Sequence, residues 1–118
     1  MAREDDGNPR IAANHLGIRV GTDIQPDDDR NVRPGTGGMS VTPNDPMDLH
    51  QHVRPVELGG TGKRPVWWIN DEKLPVNLNY RPDPRSRTHG FVEPSDLMSI
   101  EDYQEAIEGT APNWSLYA

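Results

Sequence analysis

The sequence predicts an α+β domain in which short, mostly antiparallel strands come first and a single helix closes the chain. Three observations lead there. Apolar residues fall in short alternating groups instead of long runs. Twelve prolines and eleven glycines among 118 residues punctuate regular structure from end to end. Sustained helical periodicity behind a capping signal occurs only near the C-terminus. The length suits one domain, and a hydrophobic content of 32% allows a small core beneath long loops.

Met1 to Asn14 is polar and reads as a flexible lead-in to a domain spanning 15–118. His15 to Gly21 has strand alternation, with Leu16, Ile18 and Val20 on one face and Arg19 on the other. Gln25 to Arg30 is a solvated loop. Pro34 to Val41 is glycine-rich and then strand-like, and a proline-rich loop runs from Thr42 to Pro46. Val53 to Leu58 and Pro65 to Ile69 are expected as two strands, joined by a hairpin-type connection at Gly59 to Lys63. Leu74 to Leu78 alternates and is expected as a further short strand, Arg81 to Arg87 as a polar loop, and Phe91-Val92 as the end of a strand closed by Pro94. Ser99 is placed to cap a helix with Asp102 three residues on. Ile100, Tyr103 and Ile107 share one face of it, Glu101, Asp102, Glu105 and Glu108 face water, and Gly109 is expected to end it. The tail from Pro112 to Tyr117 is apolar enough to dock back onto the body.

A formal net charge of −7, with arginines scattered among acids, speaks against nucleic acid as a partner. There are no cysteines, which removes disulfides, thiolate nucleophiles and the usual structural zinc sites and suits a reducing cytosol. No apolar run approaches the roughly 20 residues that span a bilayer, so no membrane association is expected. The polar, acidic start is unlike a signal peptide. Export, if it occurs, is expected to need no cleaved leader.

Several residues can carry chemistry. In Thr36-Gly37-Gly38-x-Ser40 the glycines can let the backbone approach a ligand and offer N–H groups to an anion, with Thr36 and Ser40 adding hydroxyls. The same residues also fit a plain turn needing positive φ at Gly37 or Gly38. Gly59 to Arg64 is not a phosphate loop, since Glu57 and Arg64 stand where that motif has glycine and Ser/Thr. His50 and His52 have a spacing that metals use, but a third ligand, from His89 or an acid, would have to come through the fold. They are read as loop histidines, with no metal site. Of Trp67 and Trp68, one is expected in the core and the other exposed or lining a cleft, where an indole can stack on nicotinamide or adenine. His89 can hold a ribose hydroxyl or a backbone carbonyl. Glu93 can stabilise a developing oxocarbenium ion.

The order of Pro34-x-Thr36-Gly37-Gly38-x-Ser40-Val41, a Trp-containing strand, Leu74-Pro75-x-x-Leu78, a charged loop with Asp83, and His89-x-x-Val92-x-Pro94 before Met98 and the final helix resembles a known family. It looks like the small toxins of bacterial type VI secretion whose fold is ADP-ribosyltransferase-like. The likeness covers roughly residues 34 to 108. It implies a split β-clamp with a dinucleotide cleft, NAD as substrate, and transfer of ADP-ribose to a macromolecular acceptor or plain NAD hydrolysis. It further implies toxicity in a bacterial cytoplasm and a cognate immunity protein that blocks the cleft. On that likeness Arg19 would meet an NAD phosphate, Thr36, Gly37, Gly38 and Ser40 would form the Ser-motif strand, and His89 would lie at the cleft edge. Trp67 is the candidate for ring stacking, and Glu93 is carried from its own chemistry. A non-catalytic interaction domain with the same fold is the competing reading.

Overall fold

Alternation within five residues, Gly90 to Pro94, sets the position of everything else. The computed structural model describes residues 2–4, 18, 20–43, 45–52, 54–62 and 66–116. Strand β6 (Gly90–Pro94) lies between β3 (Met39–Val41) and β5 (Leu78–Pro82), antiparallel to both. Met39 pairs with Val92 and Ser40 with Phe91 on one side; Tyr80 pairs with Val92 and Arg81 with Phe91 on the other. Because successive side chains alternate, Met39, Val41, Leu78 and Val92 enter the core while Ser40, Arg81, Phe91 and Glu93 share the opposite face.

A second sheet has β4 (Val66–Trp68) between β1 (Ala2–Glu4) and β8 (Ser115–Leu116), and β2 (Asn31–Val32) pairs with β7 (Met98–Ser99). The architecture is α+β, with short antiparallel strands and a helix toward the C-terminus.

Helix α1 (Ile100–Gly109) forms where the sequence expects it. The Ser99 hydroxyl accepts from Asp102 N–H at 3.0 Å, and Glu101 and Asp102 sit in the first turn, where the helix dipole favours negative charge. Ile100, Tyr103 and Ile107 are buried. Gly109 is the last helical residue and Thr110 caps the end. The Thr110 hydroxyl donates to Ile107 C=O at 2.6 Å and accepts the Trp114 indole N–H at 3.0 Å, which seats the apolar tail as expected.

Tyr103 ties helix to sheet. Its hydroxyl accepts from Met39 N–H at 3.0 Å and donates to Val92 C=O. Gly38 makes the approach possible: a Cβ there would stand 2.3 Å from the Val92 carbonyl oxygen.

Other expectations need correction. Val56–Leu58 is a 3₁₀ turn and not a strand, and the glycine loop after it is no hairpin. Its amides turn back on the preceding residues: Gly60 N–H bonds to Pro55 C=O, Thr61 N–H to Gln51 C=O and Gly62 N–H to Arg54 C=O. Val53 and residues 63–65 lie outside the described residues. β5 begins only at Leu78, because Leu78 N–H closes a turn on Pro75 C=O at 3.0 Å and leaves Val76 in solvent, behind a 3₁₀ turn at Asp71–Lys73 that the Asn70 side chain caps. The strand then continues through Pro82, into the segment expected as loop. As an edge strand it tolerates a residue without N–H. Of the expected lead-in, Ala2–Glu4 forms β1; the rest of it, and most of the strand expected from His15, lie outside the described residues.

Tyr103→Phe is expected to cost ~1–3 kcal/mol, because it leaves a buried N–H and a buried C=O without their partner. Ser99→Ala is expected to cost about 1 kcal/mol through the lost cap. Urea unfolding of both variants checks the order.

Candidate functional site

The face of the β3–β6–β5 sheet turned away from α1 forms part of a cleft of about 470 Å³. Its lining comes from Thr22, Asp23 and Gln25, from Gly35 to Gly37, from Arg81 and Asp83 to Arg85, and from Phe91 and Glu93. The volume lies in the ordinary range of small-molecule sites.

Glu93 is 3% exposed, although its side chain belongs to the face opposite the core. Loops cover it. Its Oε2 accepts Gly35 N–H at 2.9 Å, and Oε1 lies 3.7 Å from Arg81 Nη1. A buried carboxyl needs such partners to offset its lost hydration. Gly35 has φ 92°, a backbone that suits glycine, and it is the residue whose amide Glu93 engages. The Arg81 side chain is 52% exposed and keeps its guanidinium within reach of solvent.

Asp83 organises the other wall. Its Oδ1 accepts Arg85 N–H at 2.9 Å, the turn expected of an Asp-Pro-Arg segment. Its Oδ2 accepts His89 Nδ1–H at 2.8 Å, and its backbone N–H bonds to His89 C=O at 3.1 Å. The Asp83 side chain is 7% exposed, and the Arg85 amide first, then the His89 side chain, hold its carboxyl below the usual carboxylate range. The His89 ring meets Phe91 edge-on, with centroids 4.8 Å apart at 82°.

The structure brings some of the sequence candidates together. Thr36, Gly37 and Glu93 line the cleft. His89 touches two lining residues, Asp83 and Phe91, and so sits at the rim. Ser40 is half-buried beside Phe91 in the ladder. Trp67 is not at the cleft: it lies on β4 of the other sheet, packed against the core, with its indole N–H buried and without a hydrogen-bond partner among the described residues. Trp68 is the more exposed of the two, at 42%. Arg19 lies outside the described residues.

The glycine-rich segment has a different use from an anion cradle. Gly37 has φ 105°, and a Cβ on it would stand 2.3 Å from the Asp23 carbonyl oxygen. Gly38 N–H donates to that same Asp23 C=O at 2.8 Å, Thr36 N–H to Arg33 C=O, and Gly35 N–H to Glu93. The Thr36 hydroxyl bonds the Arg33 backbone. These glycines let the protein's own backbone come close, as the turn reading has it, and the amides at 35, 36 and 38 are already engaged.

Sequence reasoning missed Arg81, Arg85 and the bond from Asp83 to His89. Alternation back from Phe91 along the paired strand would have found Arg81; the Asp-Pro-Arg turn was the signal for Asp83. His50 and His52, with ring centroids 4.2 Å apart, are exposed in a turn and not on a strand. No group of three His, Cys, Asp or Glu able to hold a metal occurs among the described residues. No helix among them is long and apolar enough to cross a membrane.

No family model, curated protein or solved structure matches this chain.

Asp83 supplies a pH dependence whose sign is fixed. A carboxyl with a lowered folded-state pKa stabilises the fold above its unfolded value, about 3.9, and that contribution is lost as pH falls through the acid range. The difference in urea midpoint between the wild type and Asp83→Asn is expected to be largest near pH 7 and to shrink toward pH 3.

Proposed function

We propose that this is a toxin domain with an ADP-ribosyltransferase-like fold, acting on NAD in a target bacterial cytoplasm. The observation that supports it best is Glu93, a nearly fully buried carboxyl lining a cleft of small-molecule size, with Arg81 beside it and Arg85 on the same lining. Two sheets of three short strands, separate among the described residues, are in keeping with a split β-clamp. The ordered motifs around Thr36 to Ser40 and His89 to Pro94 point the same way.

On this reading the dinucleotide's pyrophosphate is met by the guanidinium groups of Arg81 and Arg85, since the glycine-segment amides at 35, 36 and 38 are engaged within the protein. Phe91 offers an aromatic surface to the nicotinamide ribose end. Glu93 stabilises positive charge at the ribose C1′ as nicotinamide leaves, an electrostatic contribution strengthened by burial. The acceptor is water or a macromolecule, and a cognate immunity protein would act by covering the cleft.

One observation favours a second reading, a non-catalytic interaction domain. The Glu93 carboxyl already holds Gly35 N–H and faces Arg81, as a purely structural latch would. Melting temperature separates the two. Cleft binding stabilises the fold by mass action, about 2.7 kcal/mol with NAD at a hundred times its dissociation constant. The interaction domain shows no such rise.

Induced in a bacterial cytoplasm, the wild type is expected to arrest growth, and Ser40→Ala, His89→Ala and Glu93→Gln are each expected to relieve the arrest. Purified protein is expected to release nicotinamide from NAD, with Glu93→Gln slower by about 10²–10³-fold. Normal growth with folded wild-type protein, together with no nicotinamide release, refutes the toxin reading.

A further inference from the structure

We propose that Asp83 and His89 form a working carboxylate–imidazole pair at the cleft rim, in which His89 Nε2 takes the proton from the hydroxyl that attacks the dinucleotide. The inference rests on the NAD reading above. It adds which atom accepts the proton, and it restricts the acceptor to a hydroxyl, either of water or of a macromolecule.

Geometry carries it. An ionised carboxylate can only accept hydrogen bonds, so the hydrogen in the 2.8 Å contact belongs to His89 Nδ1. A neutral imidazole protonated there has its lone pair on Nε2. The ring cannot easily turn away from this arrangement. Asp83 is pinned through Oδ1 by Arg85 N–H, and its own N–H holds the His89 carbonyl. Phe91 fixes the ring plane from the side. The Arg85 guanidinium lies beside the pair, with its Nε 3.6 Å from Asp83 Oδ1. The neighbouring Ser86 and Thr88 hydroxyls bond to each other. The His89 side chain is 34% exposed, enough to deliver a proton to solvent.

Placement along β6 fits the step. His89, Phe91 and Glu93 follow at alternate positions and so lean to one face. At ~3.3 Å of rise per residue, His89 and Glu93 are about 13 Å apart at their Cα atoms. Phe91 stands between them on that face, so on this proposal the sugar ring lies over Phe91, with the attacking hydroxyl on the His89 side and Glu93 on the other. The balance is closed. The C1′–N bond breaks, and its electron pair goes to the nicotinamide nitrogen and cancels that ring's positive charge. The acceptor oxygen bonds to C1′, and its proton passes to Nε2. The resulting imidazolium is held by Asp83 until it releases the proton to water. Asp83 thus acts as a positioning residue and His89 as the catalytic one.

The test uses the full chain with NAD as the probe at pH 8, reading nicotinamide release and NAD affinity separately. His89→Ala is expected to turn over 10²–10⁴-fold more slowly, about the contribution of a general base, with its NAD dissociation constant close to the wild-type value. Added imidazole should restore part of the lost rate. Asp83→Asn is expected to lower kcat with little change in KM, and imidazole should not rescue it, because the ring is still present. Nitrogen NMR of the wild type should show His89 protonated on Nδ1 when neutral. Turnover undiminished in His89→Ala, loss of NAD affinity without imidazole rescue, or a neutral His89 protonated on Nε2 would each overturn the pair while leaving the NAD reading standing. A wild type that releases no nicotinamide overturns both.

Discussion

The Tyr103 hydroxyl lies between the paired residues Met39 and Val92, bonded to the amide of one and the carbonyl of the other. Helix and sheet are therefore joined by polar contact as well as by apolar burial. In a core this small, few side chains specify how the layers sit. The phenol fixes the position of β6 relative to α1, and β6 carries Phe91 and Glu93 on its other face. The cleft is thus positioned from behind, by a group that lies on the core side of the sheet.

Burial of Glu93 joins two distant parts of the chain. Gly35 and Glu93 lie 58 residues apart in sequence, and a single hydrogen bond holds the loop over the strand. Arg81 comes from the neighbouring strand of the same hairpin. Ahead of Gly35 in the same loop, the Asp27 carboxyl receives the Asn31 and Asp29 amides and the Arg33 side chain, which stiffens the approach to Gly35. The loops that cover the sheet are therefore braced at both ends by carboxyls engaged with backbone amides.

What was legible in the sequence was local. The cap at Ser99, the buried face of α1 and the docking of Trp114 depend on residues within one or two turns of each other, and all three stand in the structure. The strand character of Phe91-Val92 and of Ser40-Val41 was likewise readable from short alternation. The misplaced elements are those decided by distant partners. Val56 to Leu58 carries strand-like residues, but the glycine loop bonds back onto residues 51–55 and prevents a ladder there. Leu74 to Leu78 alternates, yet the pairing of β5 is set by β6 and begins at Leu78. At the cleft, Glu93, Thr36 and Gly37 were named from their chemistry. The role of the glycines could not be read, because the atoms they make room for, Asp23 C=O and Val92 C=O, come from elsewhere in the chain.

The sheet built on β4 has an unusual closure in time. Its outer strands are residues 2–4 and 115–116, so the middle strand acquires its two neighbours from opposite ends of the described chain. During synthesis β4 emerges with only β1 available, and it stays one-sided until residues 115–116 have left the ribosome. Contacts of such long sequence separation form slowly. Until that pairing is made, β4 keeps one edge without a neighbour, and Trp67 and Trp68 are carried on the strand that waits for it.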